Sequence, residues 1–148
     1  METINIEIQP LSENFAKPFY ASEEASGMDI YACINREIIL KPMEWKLIPT
    51  GFAMSLTYGY EAQIRPRSGL AMEHGVTVLN SPGTIDSDYR GEVKVLLINL
   101  GEKDFIVQPK MRIAQIVISK VLKGDIKIVD SLNISVRGEG GFGSTGKL

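Results

Sequence analysis

An all-β fold, barrel or sandwich, is what this sequence predicts, and three observations carry that reading. Among its 148 residues are 18 Ile and 9 Val, a β-branched load that suits pleated surfaces better than helices. Thr3-Ile4-Asn5-Ile6-Glu7-Ile8 alternates polar and apolar residues strictly, the period of a half-buried strand with Ile4, Ile6 and Ile8 facing in. Glycine and proline then punctuate the chain at Gly27, Pro42, Pro49, Gly51, Gly59, Pro66, Gly101, Pro109 and Gly124, as turns between many short strands require.

After the first strand come strand-like runs at Met28 to Ile34, Glu37 to Leu40, Trp45 to Ile48 and Tyr60 to Ile64, each bounded by one of those glycines or prolines. Cys33 reads as a small buried apolar residue, and Trp45 as core or interface filling. One short helix is expected next: Ser68 can cap it, Leu70-Ala71-Met72-Glu73 are good helix formers, and Gly75 can supply the left-handed stop. His74 stands at its end, where a cation is mildly stabilising, and has no expected catalytic role. Val76 to Leu79 and Val93 to Asn99 read as two strands around a turn-rich stretch, and Ile113 to Ile118 and Ile126 to Val129 as the last strands. From Arg137 the composition changes, with Gly138, Gly140, Gly141, Gly143 and Gly146 close together, which makes ordering unfavourable in entropy. Residues 1–136 therefore read as the packed domain and 137–148 as a mobile arm.

Composition removes several classes of function. Hydrophobic residues are 44% and charged residues 23% of the chain, as in soluble globular proteins. Sixteen Lys+Arg against eighteen Asp+Glu give a net charge of −2, so no global attraction to nucleic acid or anionic membrane is expected. The apolar run Val95 to Ile98 is far short of a bilayer span, and the N-terminus alternates where a signal segment would be charged and then apolar. A cytoplasmic protein is expected. One cysteine and one histidine leave no disulfide within the chain and no zinc cluster.

Several stretches could carry chemistry. Pro66-Arg67-Ser68-Gly69-Leu70 places a guanidinium, a hydroxyl and amides at a helix start, a setting for phosphate, although a capped turn with a surface arginine looks the same. Asn80-Ser81-Pro82-Gly83-Thr84-Ile85-Asp86-Ser87-Asp88-Tyr89-Arg90-Gly91 looks like a hairpin presenting two carboxylates, a carboxamide and a tyrosine; a carboxylate there could be a general base, or the stretch could be a solvated Asx turn. Asp29 stands alone among apolar residues, as a turn cap or as a charge needed nearby. In Arg112-Ile113-Ala114-Gln115, Gln115 shares a face with Ile113, which hints at an internal polar partner or at an edge. Arg137 to Gly146 has the composition of a phosphate loop without the Gly-Lys-Ser/Thr ending of a P-loop. Phe142 among glycines has no core to join, and stacking on a flat ring is the reading with a mechanism.

Taken in order, Ser26-Gly27-Met28-Asp29-Ile30-Tyr31-Ala32, Pro66-Arg67-Ser68-Gly69-Leu70-Ala71, Gly83 to Gly91, Arg112-Ile113-Ala114-Gln115 and Arg137 to Gly146 resemble the five motifs of the trimeric dUTPase family. Ser26 departs from the alanine usual in the first motif, a small-for-small change. The resemblance implies a distorted β-barrel or jelly-roll, β-clip-like subunit, a homotrimer with shared active sites, and Mg²⁺-dependent hydrolysis of dUTP to dUMP and pyrophosphate. That reaction lowers dUTP and supplies dUMP for thymidylate synthesis. It further implies that Asp86 deprotonates the attacking water, Tyr89 packs on the deoxyribose, and Asn80 with the hairpin backbone around Thr84 and Ile85 reads uracil. Arg67, Ser68 and Gly69 would hold phosphates with Gln115 nearby. Lys94 would flank the hairpin exit, and Phe142 would stack on uracil while Arg137, Gly143, Ser144 and Thr145 close over the phosphates. No direct protein ligand to the metal is implied, only water-mediated contact from Asp29 and Gln115. Two competitors stay open: a dCTP deaminase, which resembles the same fold and would release ammonia, and a non-enzymatic β-rich trimer that uses the arm to bind a partner.

Overall fold

The computed structural model describes residues 3–141. Eleven strands and one helix are found among them: β1 (Ile6–Pro10), β2 (Phe19–Tyr20), β3 (Gly27–Tyr31), β4 (Ile38–Leu40), β5 (Trp45–Leu56), β6 (Tyr60–Arg65), α1 (Ser68–His74), β7 (Val76–Val78), β8 (Gly83–Ile85), β9 (Glu92–Asn99), β10 (Phe105–Val107) and β11 (Arg112–Lys120). One antiparallel sheet runs β1-β5-β9-β7, a second runs β2-β3-β11-β6-β8, and β10 pairs with β4. The all-β expectation with a single short helix holds.

Alternation builds the core between the sheets. Ile48, Phe52, Met54, Val93, Val95 and Leu97 from the first sheet meet Met28, Ile30, Ala62, Ile64, Ile113 and Ile116 from the second in one cluster. A fully buried aliphatic side chain contributes about 1.5–3 kcal/mol. Phe52 is wholly buried and meets Phe15 edge to face at 5.6 Å between ring centroids. Phe52→Ala is expected to destabilise the chain by about 3–5 kcal/mol, measured as a drop in the denaturation midpoint. Asn99 is one of three buried polar residues, with Asp29 and Thr50: its Nδ2 donates to the carbonyls of Leu40 and Lys103, each at 2.8 Å, and its Oδ1 accepts the Gly101 amide at 2.9 Å. Full satisfaction is what permits a carboxamide there.

The structure departs from the sequence reading in identifiable places. β5 continues for 12 residues through Pro49 and Gly51, which reads as punctuation. A register shift between Pro49 and Ala53 absorbs both residues, since a bulge accepts a residue that cannot donate to the ladder. Ser68 is the first helical residue, and the cap position falls to Arg67 with no side-chain cap bond; Gly75, at φ 67°, provides the expected left-handed stop. Trp45 is 58% exposed and is not core. Cys33 is only half-buried. β2, β8 and β10 have two or three residues, too few to show a period.

The expected strand at Ile126 to Val129 is absent from the single chain. Beyond Val121, whose amide donates to the Gly59 carbonyl at 2.9 Å, residues 122–136 form no strand and expose Leu122, Ile126, Ile128, Leu132, Ile134 and Val136 almost completely. An alternating run needs a sheet edge to pair with, and within this chain it has joined none.

Candidate functional site

The stretch from Asn80 to Gly91 does connect two paired strands, because β7 lies antiparallel to β9 from Val76↔Asn99 to Val78↔Leu97. It is more than a hairpin loop. Midway, β8 leaves the first sheet and pairs with β6 of the second, Ile85 opposite Ala62 and Thr84 opposite Gln63. Buried Gly83 and Ile85 anchor it, so Asp86, the next residue, emerges at the junction of the two sheets.

A tight turn then fixes the residues after Asp86. The Tyr89 amide donates to the Asp86 carbonyl at 3.1 Å, and Arg90 Nη1 donates to the carbonyls of Ser87 and Tyr89 at 2.7 and 2.9 Å. Tyr89 folds back so that its hydroxyl donates to the Glu92 carbonyl at 3.2 Å. A Cβ on Gly91 would run into that hydroxyl and the ring carbons beside it. Glycine at 91 is thus what lets the ring lie where it does.

The turn and β5 enclose a cavity of about 400 Å³ lined by Leu47, Thr84, Ile85, Asp86, Tyr89, Glu92, Val93 and Lys94. Five of these, Thr84, Ile85, Asp86, Tyr89 and Lys94, are expected from the sequence. Leu47, Glu92 and Val93 are not, although alternation along β9 places Glu92 and Lys94 on the face opposite buried Val93 and Val95. Glu92 ties the cavity to the β5 bulge: its Oε1 accepts the Gly51 amide at 3.0 Å and its Oε2 lies 3.5 Å from Lys94 Nζ. Asp88, the other acidic residue of the turn, does not line the cavity.

A second cluster lies outside that cavity. Asp29 on β3 is buried, at 2% exposure, with its Cα opposite that of Gln115 on β11. Gln115 Nε2 donates to Asp29 Oδ1 at 3.2 Å, Arg67 Nε lies 3.3 Å from the same oxygen, and Arg112 Nη1 lies 3.1 Å from Oδ2. The internal polar partner that Gln115 hints at is therefore Asp29, and Asp29 is a buried charge held by cations. Ser68 and Gly69 are exposed at the start of α1 beside Arg67.

The remaining expected residues are not drawn into either group within one chain. Asn80 is exposed next to Gly83, and Arg137 is exposed, its Nε donating to the Gly140 carbonyl at 2.7 Å. Phe142, Gly143, Ser144 and Thr145 lie outside the described residues. Among the described residues no group of three or more His, Cys, Asp or Glu side chains could hold a metal ion. No helix among them is long and apolar enough to cross a membrane.

A sequence profile of the dUTPase family matches residues 13–146. The chain belongs to the dUTPase family. Deoxyuridine 5′-triphosphate nucleotidohydrolases similar to this dUTPase include that of Orientia tsutsugamushi (strain Ikeda), 60% identical over 87% of both chains. That of Rickettsia canadensis is 56% identical over 99% of both. Among solved structures, the Staphylococcus bacteriophage 80alpha dUTPase with dUPNHPP superposes on this dUTPase with a TM-score of 0.87 at 25% identity, covering 96% of this chain and 98% of that one. The dUTPase of S. aureus phage phi11, seen with a structural Mg(II) ion, shares the fold with a TM-score of 0.79 at 20% identity over 88% of this chain and 99% of that one.

Proposed function

We propose that this dUTPase hydrolyses dUTP to dUMP and pyrophosphate, with Asp86 as general base and Tyr89 as the reader of the sugar. One observation carries the residue assignment: Asp86 and Tyr89 face the same cavity, held there by a turn that contacts both. Water attacks the α-phosphorus, Asp86 accepts its proton, and the bond from the α-phosphorus to the bridging oxygen breaks to release pyrophosphate. Asp29 is unsuited to the base role, because its oxygens are committed to Gln115 and two guanidinium groups. The Tyr89 ring against C2′ leaves no room for a ribose hydroxyl. Asn80, with the backbone of Thr84 and Ile85, reads uracil, and Lys94 flanks the hairpin exit.

Arg67, Ser68, Gly69 and Gln115 hold phosphate oxygens in this reading. Two guanidinium groups face one carboxylate, so the cluster carries an excess positive charge suited to an anion. Mg²⁺ fits this donor set as a substrate-borne ion: a triphosphate brings oxygen ligands of its own, so no protein cage is needed. Asp29 accepts hydrogen bonds from Arg112 and Gln115 and pairs with Arg67 on a carboxylate with about four acceptor sites, so water-mediated contact is what Asp29 and Gln115 offer. The ion when bound supplies charge stabilisation on the phosphates.

The enzyme acts as a homotrimer in this reading. Residues 1–136 form the domain, and 137–148 form an arm whose Arg137, Phe142, Gly143, Ser144 and Thr145 close over a site in another subunit. Two features support it. The exposed apolar run of residues 122–136 and the exposed Trp45 are surfaces that monomers seldom leave in water, and the phosphate cluster lies outside the cavity that holds Asp86, so each could serve a different subunit's site. Cytoplasmic location goes with the same reading.

Incubation with each deoxynucleoside triphosphate and Mg²⁺, with identification of the products, tests the whole proposal. dUMP with pyrophosphate is expected from dUTP alone. Ammonia from dCTP would instead establish a deaminase, and no turnover a binding protein. For the sugar, Tyr89→Ala is expected to lower the ratio of kcat/KM for dUTP over UTP by about 10–100-fold, and Gly91→Ala to lower it in the same direction by displacing the ring. Equal slowing on both nucleotides would make Tyr89 structural.

A further inference from the structure

Arg112 opens β11 where its pairing with β3 slips, between Arg112 and Ala114. Its Cα partner is Tyr31, yet its guanidinium reaches along β3 to Asp29, with Nη1 at 3.1 Å from Oδ2. The other carboxylate oxygen is shared by Arg67 Nε at 3.3 Å and Gln115 Nε2 at 3.2 Å. Arg67 is tied to Arg112 a second time, since its Nη1 donates to the Arg112 carbonyl at 3.3 Å. Gln115 packs close to Gly27, where a Cβ would stand 3.2 Å from its Oε1, so glycine at 27 is what leaves room for the amide beside Asp29.

Which oxygen each group holds decides the division of labour. Asp29 is a carboxylate only 3% exposed at its side chain, whereas the Arg67 and Arg112 side chains are 26% and 47% exposed. One arginine would suffice to pair the buried charge. With Arg112 on Oδ2, the plane of the carboxylate is set and only Oδ1 is offered to Arg67, which is held through Nε alone. Without Arg112, Oδ2 is open to Arg67, and a bidentate pair of Arg67 with Asp29 is the arrangement two such groups favour. Arg67 would then turn inward and lose its aim at a ligand. We infer that Arg112 is a positioning residue of the phosphate site, acting through Asp29 to keep the guanidinium of Arg67 and the amide of Gln115 aimed at phosphate oxygens. The inference rests on the proposed role of Arg67 and Gln115 in meeting the substrate's phosphates.

Calorimetric titration of the full-length protein with pyrophosphate, dUMP and the imido analogue dUpNHpp tests it. Arg112→Gln is expected to weaken pyrophosphate and dUpNHpp by about 10–100-fold, for loss of a well-aimed charge-assisted contact, and to leave dUMP within about threefold. Arg112→Lys, which keeps the charge, should recover part of the loss. In an Asp29→Asn background the Arg112→Gln change should add little, because both act through one carboxylate. An unchanged affinity for pyrophosphate and dUpNHpp overturns the inference, as does equal weakening of dUMP. Full additivity with Asp29→Asn overturns it too, because Arg112 would then touch phosphate directly. If the unmodified protein binds neither dUpNHpp nor pyrophosphate, the functional reading itself falls and the inference with it.

Discussion

Asp86→Asn is expected to lose dUTP turnover by a factor on the order of 10³–10⁴ while dUTP affinity stays within a few-fold. The amide is isosteric with the carboxylate, so the turn closed by the Tyr89 amide on the Asp86 carbonyl and the shape of the cavity are preserved. What is lost is the capacity to accept a proton from water. Single-turnover hydrolysis and equilibrium binding of dUpNHpp separate the two quantities. Near-normal hydrolysis by the variant would remove Asp86 as the base and pass the role to Asp88, since Asp29 is enclosed by Gln115 and two guanidinium groups.

Deleting residues 137–148 is expected to spare the β body and cost about 10²–10³-fold or more in activity, as loss of preorganised phosphate donors does. Among the described residues the strands and the core end at Lys120 and residues 137–141 join neither, so the melting temperature should stay near that of the full chain. Complementation then tests whether sites are shared. Mixed trimers of the arm-deleted chain and an Asp86→Asn chain, each nearly inactive alone, should regain partial activity, because some sites would pair an intact Asp86 with an intact arm. Background activity in trimers shown to be mixed would mean that each arm serves its own subunit or does not serve catalysis.

Local patterns made much of this molecule legible. A strand declares itself through its own alternation, so β1, β3, β6, β9 and β11 lie close to where the apolar runs put them. The turn from Gly83 to Gly91 is built from residues within a few positions of one another, and Asp86 and Tyr89 could be singled out together for that reason. Even Glu92 and Lys94 sit on the face that alternation assigns them.

What the sequence by itself determined, then, is whatever depends on neighbours along the chain: the all-β class, the short helix with its left-handed stop at Gly75, and the pairing of a carboxylate with an aromatic ring on one turn. Only the tertiary structure decided what depends on residues far apart in the chain. Asp29 meets Arg67, Arg112 and Gln115 because β3 and β11 are neighbours in a sheet, and no local period encodes that meeting. β5 crosses Pro49 and Gly51 because β9 holds the half before them and β1 the half after them, outweighing the local preference for a turn. Trp45 and the run from Ile126 to Val129 read as buried from their own chemistry, yet in the single chain they stand exposed, because burial of an apolar side chain is decided by the surface that covers it and not by the side chain.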